Sequence, residues 1–340
     1  MSANQYAAAG VDLRTAEASK ERIATLVAGT RTPLALGAVG AFGGMVRVPA
    51  GMRQPVLVMS TDGVGTKVLV ARELGILNTV GEDLVNHSVN DILVHGATPI
   101  AFMDYLAGAG LSVQEIADIV EGVARGCRAH DMVLAGGETA QMPGLYQPGH
   151  FDLAGTIIGV VEESEALHGD QVTAGDVLLG YASTGLHTNG YTLARRVLFE
   201  TMGLRVDQQV AELGTTAGQA LLAVHQSYVA AIRPVLGHMH ALAHITGGGI
   251  AGNLVRVLPE GVEAVVSGAA WPRPALFQLI QGGGRVGEEE MREVFNLGVG
   301  IIAALPAAAV DAAQAAAAAA GVATWVIGEV RAGARTVRFE

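Results

Sequence analysis

The chain has 340 residues, half of them hydrophobic and 16% charged, with 46 glycines and a formal net charge of −11. This balance describes a folded protein rich in tight turns; it excludes a disordered chain and argues against nonspecific binding to nucleic acid or anionic membrane, while leaving room for one small phosphate in a local basic pocket. A single core seldom grows past about 250 to 300 residues, so two domains are expected.

Cys127 is the only cysteine, so no intrachain disulfide forms and a cysteine zinc site is disfavoured. Its setting, GVARGCRAH, is helical, where a lone cysteine reads as a small apolar residue without a role. The start, MSANQYAAAGVDLRTAE, has no basic segment followed by an apolar core, so neither a signal peptide nor an anchor is expected and a cytoplasmic location fits.

In chain order, Tyr6, Gly10 and Asp12 fall in a loop before a helix whose apolar positions Ile23, Leu26 and Val27 recur at helical spacing and which stops at Gly29. Lys20 rides on that helix, either solvated or reaching a substrate phosphate or carbonyl. GAVGAFGGM (37–45) forms a loop able to wrap a ligand or turn into the strand MVRVP; it is not GxGxxG and gives a dinucleotide fold no support.

PVLVMSTDGVGTK (55–67) begins as a short β-forming run and breaks into polar residues, as when a buried strand delivers a loop. Gly63 and Gly65 let backbone N–H groups approach an anion, Lys67 offers a point charge, and Asp62 favours an anion only with a metal between them. A nucleotide phosphate with Mg²⁺ is suggested. Lys67 follows Thr66 and precedes Val68, so this is not a Walker A loop. Two later stretches, SVNDIL (88–93) and GGETAQMPG (136–144), each set a carboxylate, Asp91 or Glu138, beside small or amide-bearing residues. Singly these acids fit a turn, a helix surface or a cap; together three carboxylates from separate segments are able to surround one or two hard cations.

Residues 68–77 and 81–97 look helical, the latter with Asp83, His87, Asn90 and Asp91 spaced along one polar stripe. Strands are expected at 98–106, 132–135 and 151–161, and an amphipathic helix at 112–130 capped by Ser112 with Glu115. The polar interval 162–176 separates the halves, giving domains 1–166 and 167–340.

The second half opens with the strand VLLGYAS (177–183) and runs into TGLHTNGYTLARRVL. Ser183, Thr184, Thr188 and Asn189 lie near a helix start, where unpaired N–H groups suit a phosphate monoester. His187 in that loop is a candidate phosphate donor, a candidate acid or base, or a turn residue. Residues 221–243 are expected to be helical, and HITGGGIAGNL (244–254) offers a second anion cradle at Gly247 and Gly248 or merely close helix packing. The most membrane-like stretch, 301–323, carries Pro306, Asp311 and Gln314 and is expected as a helix outside any membrane. The strand TWVIGEV (324–330) ends an alternating pattern, and each half is expected as a mixed sheet covered by helices, an α+β fold.

The phrases YAAAGVD, VGAFGG, STDGVGTK, DLVNHSVNDILVHGATPIAFMDYLA, GGETAQMPGLY, FDLAGTIIGVVE, STGLHTNGYTLAR, ITGGGIAGNL and FNLGVGI, in that order, resemble the phosphoribosylformylglycinamidine cyclo-ligases, also called aminoimidazole ribonucleotide synthetases. The resemblance spans nearly the whole chain. Ala41 departs from the family's usual glycine, and DLRTAEAS from its usual DIDAGN-like wording.

The resemblance implies ATP-dependent closure of formylglycinamidine ribonucleotide to aminoimidazole ribonucleotide through an iminophosphate, with release of ADP and phosphate. It implies an N-terminal ATP-binding and dimerisation domain, a C-terminal substrate-binding domain and a homodimer. On this reading Asp62, Asp91 and Glu138 hold Mg²⁺, while Gly63, Gly65, Thr66, Lys67, Asn90, Gly136 and Gly137 meet ATP. Ser183, Thr188, Asn189, Gly247 and Gly248 grip the ribonucleotide, and His187, Asp62 and Lys67 serve catalysis. A monovalent-cation requirement is left open. The alternatives are another ATP-using member of the superfamily, such as a small-molecule kinase, and a noncatalytic nucleotide-binding subunit.

Overall fold

The structure, a computed structural model, describes residues 13–37 and 40–340. The expected loop of Tyr6, Gly10 and Asp12 lies outside the described residues, as do Ala38 and Val39 of the glycine-rich loop. The chain divides into two compact units, Met1–Ile92 with Thr98–Glu162, and Leu93–Ala97 with Glu163–Glu340. Each combines helices with a mixed sheet, as an α+β fold requires.

Unit 1 begins with α1 (Leu13–Ala28) and a short antiparallel ladder of β1 (Ala35–Leu36) with β2 (Met45–Val46). Then come β3 (Pro55–Gly63), α2 (Lys67–Leu74), α3 (Asn78–Leu93), β4 (Thr98–Gly108), α4 (Val113–Ala129), β5 (Val133–Gln141) and β6 (Phe151–Glu162). The sheet runs β3-β6-β4-β5, antiparallel except between β4 and β5. α4 starts at its expected cap: the Ser112 hydroxyl accepts from Glu115 N–H while the Glu115 carboxylate accepts from Ser112 N–H.

Helices α3 and α4 approach through glycine. A Cβ at Gly122 would strike the Asn78 carbonyl, and one at Gly81 the Ile119 carbonyl, both backbone atoms that cannot swing away. For Gly122→Ala the gain in helix propensity, about 1 kcal/mol, is outweighed by overpacking of about 1–3 kcal/mol. The expected outcome is a lower urea midpoint, and an unchanged or raised one contradicts the contact.

Among the described residues the helices lie on one face of this sheet. On the covered face Gly155 of β6 lies against Phe102 and Leu84. The other face carries exposed Leu57, Met59, Met103 and Tyr105.

Unit 2 contains β7 (Val177–Ala182), α5 (Tyr191–Arg195) continuing into a π-helical turn at Arg196–Thr201, the short pair β8 (Gln209–Val210) and β9 (Thr215–Thr216), α6 (Ala217–Leu221) and α7 (Val229–Ile232). β10 (Ala241–His244), α8 (Gly249–Leu254), β11 (Val262–Val266), α9 (Ala275–Gly284), α10 (Glu288–Val294), β12 (Val299–Leu305), α11 (Val310–Ala319), β13 (Thr324–Ala332) and β14 (Thr336–Phe339) complete it. The six-stranded sheet has the order β10-β12-β7-β13-β11-β14, antiparallel except between β11 and β14. Every residue of β12 is buried, and Leu179, Tyr181, Tyr228, Ile301, Ala303, Leu305 and Ala317 share one core.

Two sequence expectations are corrected here. Residues 221–243 do not form one helix: α6 stops at Leu221, residues 223–228 have no regular structure, and 241–244 join the sheet. Side chains compete for the carbonyls a helix would use, Tyr191 Oη donating to Leu221 O and Thr184 Oγ1 to Val224 O, while Pro234 lacks an N–H to continue the ladder. The stretch 301–323 is likewise split, since Pro306 ends the buried strand β12 before α11 begins. Among the described residues no helix is long and apolar enough to cross a membrane.

Candidate active site

Asp62 and Asp91 meet at the helix-covered face of unit 1. Asp62 is delivered by the last turn of β3 and Asp91 by α3. The Ser60 hydroxyl lies within donating distance of both, 2.9 Å from Asp91 Oδ2 and 3.3 Å from Asp62 Oδ2. His87, one turn before Asp91, brings Nε2 to 3.5 Å from Asp62 Oδ1 and 3.9 Å from Asp91 Oδ2. Burial and the neighbouring Asp91 carboxylate push the Asp62 carboxyl up to about 7. Two carboxyl groups held together in this way, once ionised, are suited to a hard cation such as Mg²⁺, whose preferred ligands are carboxylate oxygens. His87 was not assigned from sequence; its signal is the four-residue spacing to Asp91 on one helix.

Glu138 does not join them. In-register pairing sets Asp62, Gly155, Asp104 and Gly137 in one row across the sheet, and Gly63, Ala154, Tyr105 and Glu138 in the next. Adjacent positions on a strand face opposite sides, so Glu138 points to the open face, about 14 Å from β3 over three strand spacings. Of the three acids expected to hold Mg²⁺, Asp62 and Asp91 lie together and Glu138 lies apart from them. GGET is not a loop following a strand: β5 runs through it to Gln141.

Lys67 is buried. Its ammonium lies 2.8 Å from Asp83 Oδ1, and both side chains are 0% exposed. Burial lowers the lysine pKa and Asp83 opposes that shift. Lys67 is the first residue of α2 and turns inward to this partner. Asn90 is likewise fully buried. Gly63 and Gly65 are exposed and Thr66 half-buried at the β3–α2 connection.

A cavity of about 660 Å³ opens on unit 1 between α1, the glycine-rich segment 40–45 and β5. Gly136, Gly137 and Glu138 line it together with Lys20, Arg31 and Asp104. Lys20 also reaches Glu17 at 3.5 Å. Asp104, which the sequence reading passed over inside an apolar strand, is pushed up to about 7 by burial. Cys127 is buried, and burial raises its thiol well above the ordinary range, consistent with an inert thiol.

In unit 2 the loop after β7 folds over its own backbone. Ser183 Oγ is placed to donate to Gly185 O at 3.0 Å or Asn296 Oδ1 at 3.1 Å, and Asn296 Nδ2 donates to Gly185 O at 2.9 Å. His187 is 1% exposed, with a left-handed backbone at φ 62°, and the Thr184 N–H donates to its Nε2 at 3.4 Å. The ring is thus packed within the loop that carries it. Asn189 faces the triple-glycine turn: a Cβ on Gly247 would lie 3.6 Å from Asn189 Oδ1. Its buried Nδ2 has no hydrogen-bond partner, and Gly247 and Gly248 are exposed beside it, Gly248 at φ 93°. An unsatisfied amide donor next to open glycine backbone suits an anion.

The profile described as AIR synthase related protein, N-terminal domain, matches residues 43–161, and that for the C-terminal domain matches 173–339. A protein of Sorangium cellulosum (strain So ce56) named phosphoribosylformylglycinamidine cyclo-ligase is 48% identical over 96% of this chain and 94% of its own length. One of the same name from Desulfatibacillum aliphaticivorans is 45% identical over 96% and 95%. Among solved structures, thiamine-monophosphate kinase from Stenotrophomonas maltophilia K279a superposes with a TM-score of 0.66 at 19% identity, covering 95% of this chain and 96% of that one. HypE of E. coli gives 0.65 at 19% identity over 94% and 93%. The structural likenesses speak to the fold alone, whereas the sequence matches run nearly end to end through both halves, and the chain belongs to the phosphoribosylformylglycinamidine cyclo-ligase family.

Proposed function

We propose that the chain closes the imidazole ring of aminoimidazole ribonucleotide from formylglycinamidine ribonucleotide in purine biosynthesis, consuming ATP and releasing ADP and phosphate. The observation that carries the site assignment is the Asp62–Asp91 pair gathered round one hydroxyl, in a chain whose near-full-length relatives are named for this reaction. A formamide oxygen is a poor leaving group. Transfer of the γ-phosphoryl group to that oxygen gives an iminophosphate, from which phosphate departs as the amidine nitrogen attacks. Both reacting groups belong to one substrate, so the protein's task is to hold a near-attack shape and oppose the charge that develops on phosphate.

Asp62 and Asp91 would hold Mg²⁺, which when bound supplies charge neutralisation for the ATP phosphates. Ser60 and His87 orient the two carboxylates. ATP is assigned to unit 1, with the exposed backbone at Gly63 and Gly65 and the cavity bearing Gly136 and Gly137 as its candidate contacts. The ribonucleotide phosphate is assigned to Asn189, Gly247 and Gly248 in unit 2, with Ser183 and His187 bracing that loop and Thr188 beside it. The division at 166/167 into a nucleotide domain and a substrate domain follows from these assignments. A homodimer is supported by the exposed apolar face of the unit 1 sheet, which also carries Glu138.

Because Asp62 keeps its proton up to about pH 7, Mg²⁺ must displace that proton, and apparent affinity falls about tenfold per pH unit below 7. Calorimetric titrations at acid and mildly alkaline pH test this; equal affinities contradict it. Asn189→Ala removes a donor to a charged group, about 1.5–3 kcal/mol, so KM for the ribonucleotide rises about 10- to 100-fold with kcat nearly kept. A kcat loss at constant KM contradicts the phosphate assignment.

The reaction itself is tested by counting products with formylglycinamidine ribonucleotide and Mg-ATP. One ADP and one free phosphate per imidazole formed is expected. Phosphate retained on the product would indicate a small-molecule kinase, and nucleotide binding without turnover a noncatalytic subunit.

A further inference from the structure

Three histidines converge inside unit 2, from three separate segments. His187 stands on the loop after β7, His225 in the irregular stretch 223–228, and His244 at the end of β10. All are buried, at 1%, 1% and 7% exposure, and each offers a ring nitrogen within 4.8 Å of the other two. One pair, His225 Nε2 and His244 Nε2, is 3.2 Å apart, with ring centroids 5.3 Å apart and the rings inclined at 62°. Two imidazoles on one tetrahedral ion, each about 2.0–2.1 Å from it, have nitrogens about 3.3 Å apart. This pair already has that spacing. The His187 ring stacks on His225 at 3.9 Å, and the Thr184 N–H contact to His187 Nε2, at 3.4 Å, is too long to fix its tautomer firmly.

The surroundings favour the same reading. Thr188 Oγ1 lies 3.5 Å from His225 Nδ1, on the opposite side of the ring from the Nε2 that faces His244. Three imidazoles suit zinc, cobalt or nickel far better than magnesium, which takes oxygen. The set therefore differs in chemistry from the acidic pair of unit 1.

We propose that His187, His225 and His244 form a binding site for a divalent transition-metal ion of the zinc class. Bound there, the ion ties together the 183–190 loop, the 223–228 stretch and the end of β10, and so stiffens the segment that presents Asn189.

The test is a Co²⁺ titration of the chelator-treated full chain, followed by visible absorption and thermal unfolding. One equivalent with the intense absorption of tetrahedral cobalt, and a raised unfolding midpoint, is expected. His225→Asn should weaken binding by more than the ~10- to 100-fold typical of losing an outer partner. Weak absorption of the octahedral type, or an affinity indifferent to His225→Asn, overturns the proposal and leaves the histidines as a hydrogen-bonded stack. Should His225→Asn fail to fold, X-ray absorption on the cobalt-loaded parent decides: three imidazole nitrogens support the site, an oxygen-only shell removes it. No ATP or ribonucleotide enters these measurements, so their outcome is independent of the cyclisation reading.

Discussion

Asp91→Asn is expected to lower ADP formation at least about a thousandfold while leaving the fold intact. Charge stabilisation by a bound divalent ion contributes several kcal/mol to a transition state, and each 1.36 kcal/mol is about tenfold in rate. Asn keeps the shape of Asp91 and still accepts from Ser60 Oγ, so local packing survives while the second anionic ligand is lost. The effect on stability runs the other way. Asp62 titrates near 7 because of burial first and Asp91 second. In the metal-free protein its raised pKa contributes stability below the ordinary carboxyl pKa of about 3.9, and that contribution is lost as pH rises to about 7. Removing Asp91 takes away the repulsive part of that loss, so the metal-free variant should unfold at an equal or higher temperature near neutral pH. Wild-type turnover, or a collapsed fold, would each contradict the assignment of Asp91 as a metal ligand.

Lys67→Met is expected to have the second-largest effect, and on stability rather than on substrate binding. Removing one partner of a fully buried ion pair leaves the other charge uncompensated, at a cost of about 3–5 kcal/mol. The Lys67–Asp83 pair meets that condition, with both side chains fully buried at 2.8 Å. The double variant Lys67→Met with Asp83→Leu removes both charges and should recover most of the loss, since well-packed apolar replacements of buried pairs are often neutral or stabilising. Urea unfolding of the two variants measures this. If the single variant were as stable as the parent and lost only ATP turnover, Lys67 would be a phosphate ligand after all.

These two residues also mark where sequence reading succeeds and stops. The break from an apolar run into STDG signalled that β3 delivers a polar group at its end, and Asp62 is there. The Ser112–Glu115 box was legible because its signal is local. Lys67 was not, because its partner Asp83 lies sixteen residues on, in the next helix, and nothing in DGVGTK tells which way the first turn of α2 faces. Glu138 lies apart from the two aspartates for a different reason. A strand that runs a few residues longer than expected turns a loop acid into a strand acid, and one step of register then decides between the helix-covered face and the open one. His225 carried no signal at all: it sits in a stretch whose helical pattern was broken by side-chain donors from the 184–191 loop.

The reading depends on phosphoryl transfer to the formyl oxygen. Its most direct test is turnover of substrate carrying a heavy oxygen isotope in the formyl group, followed by mass spectrometry of the released phosphate. The label is predicted to appear in the free phosphate, one atom for each ring closed. Label found in water, with unlabelled phosphate, would contradict the account.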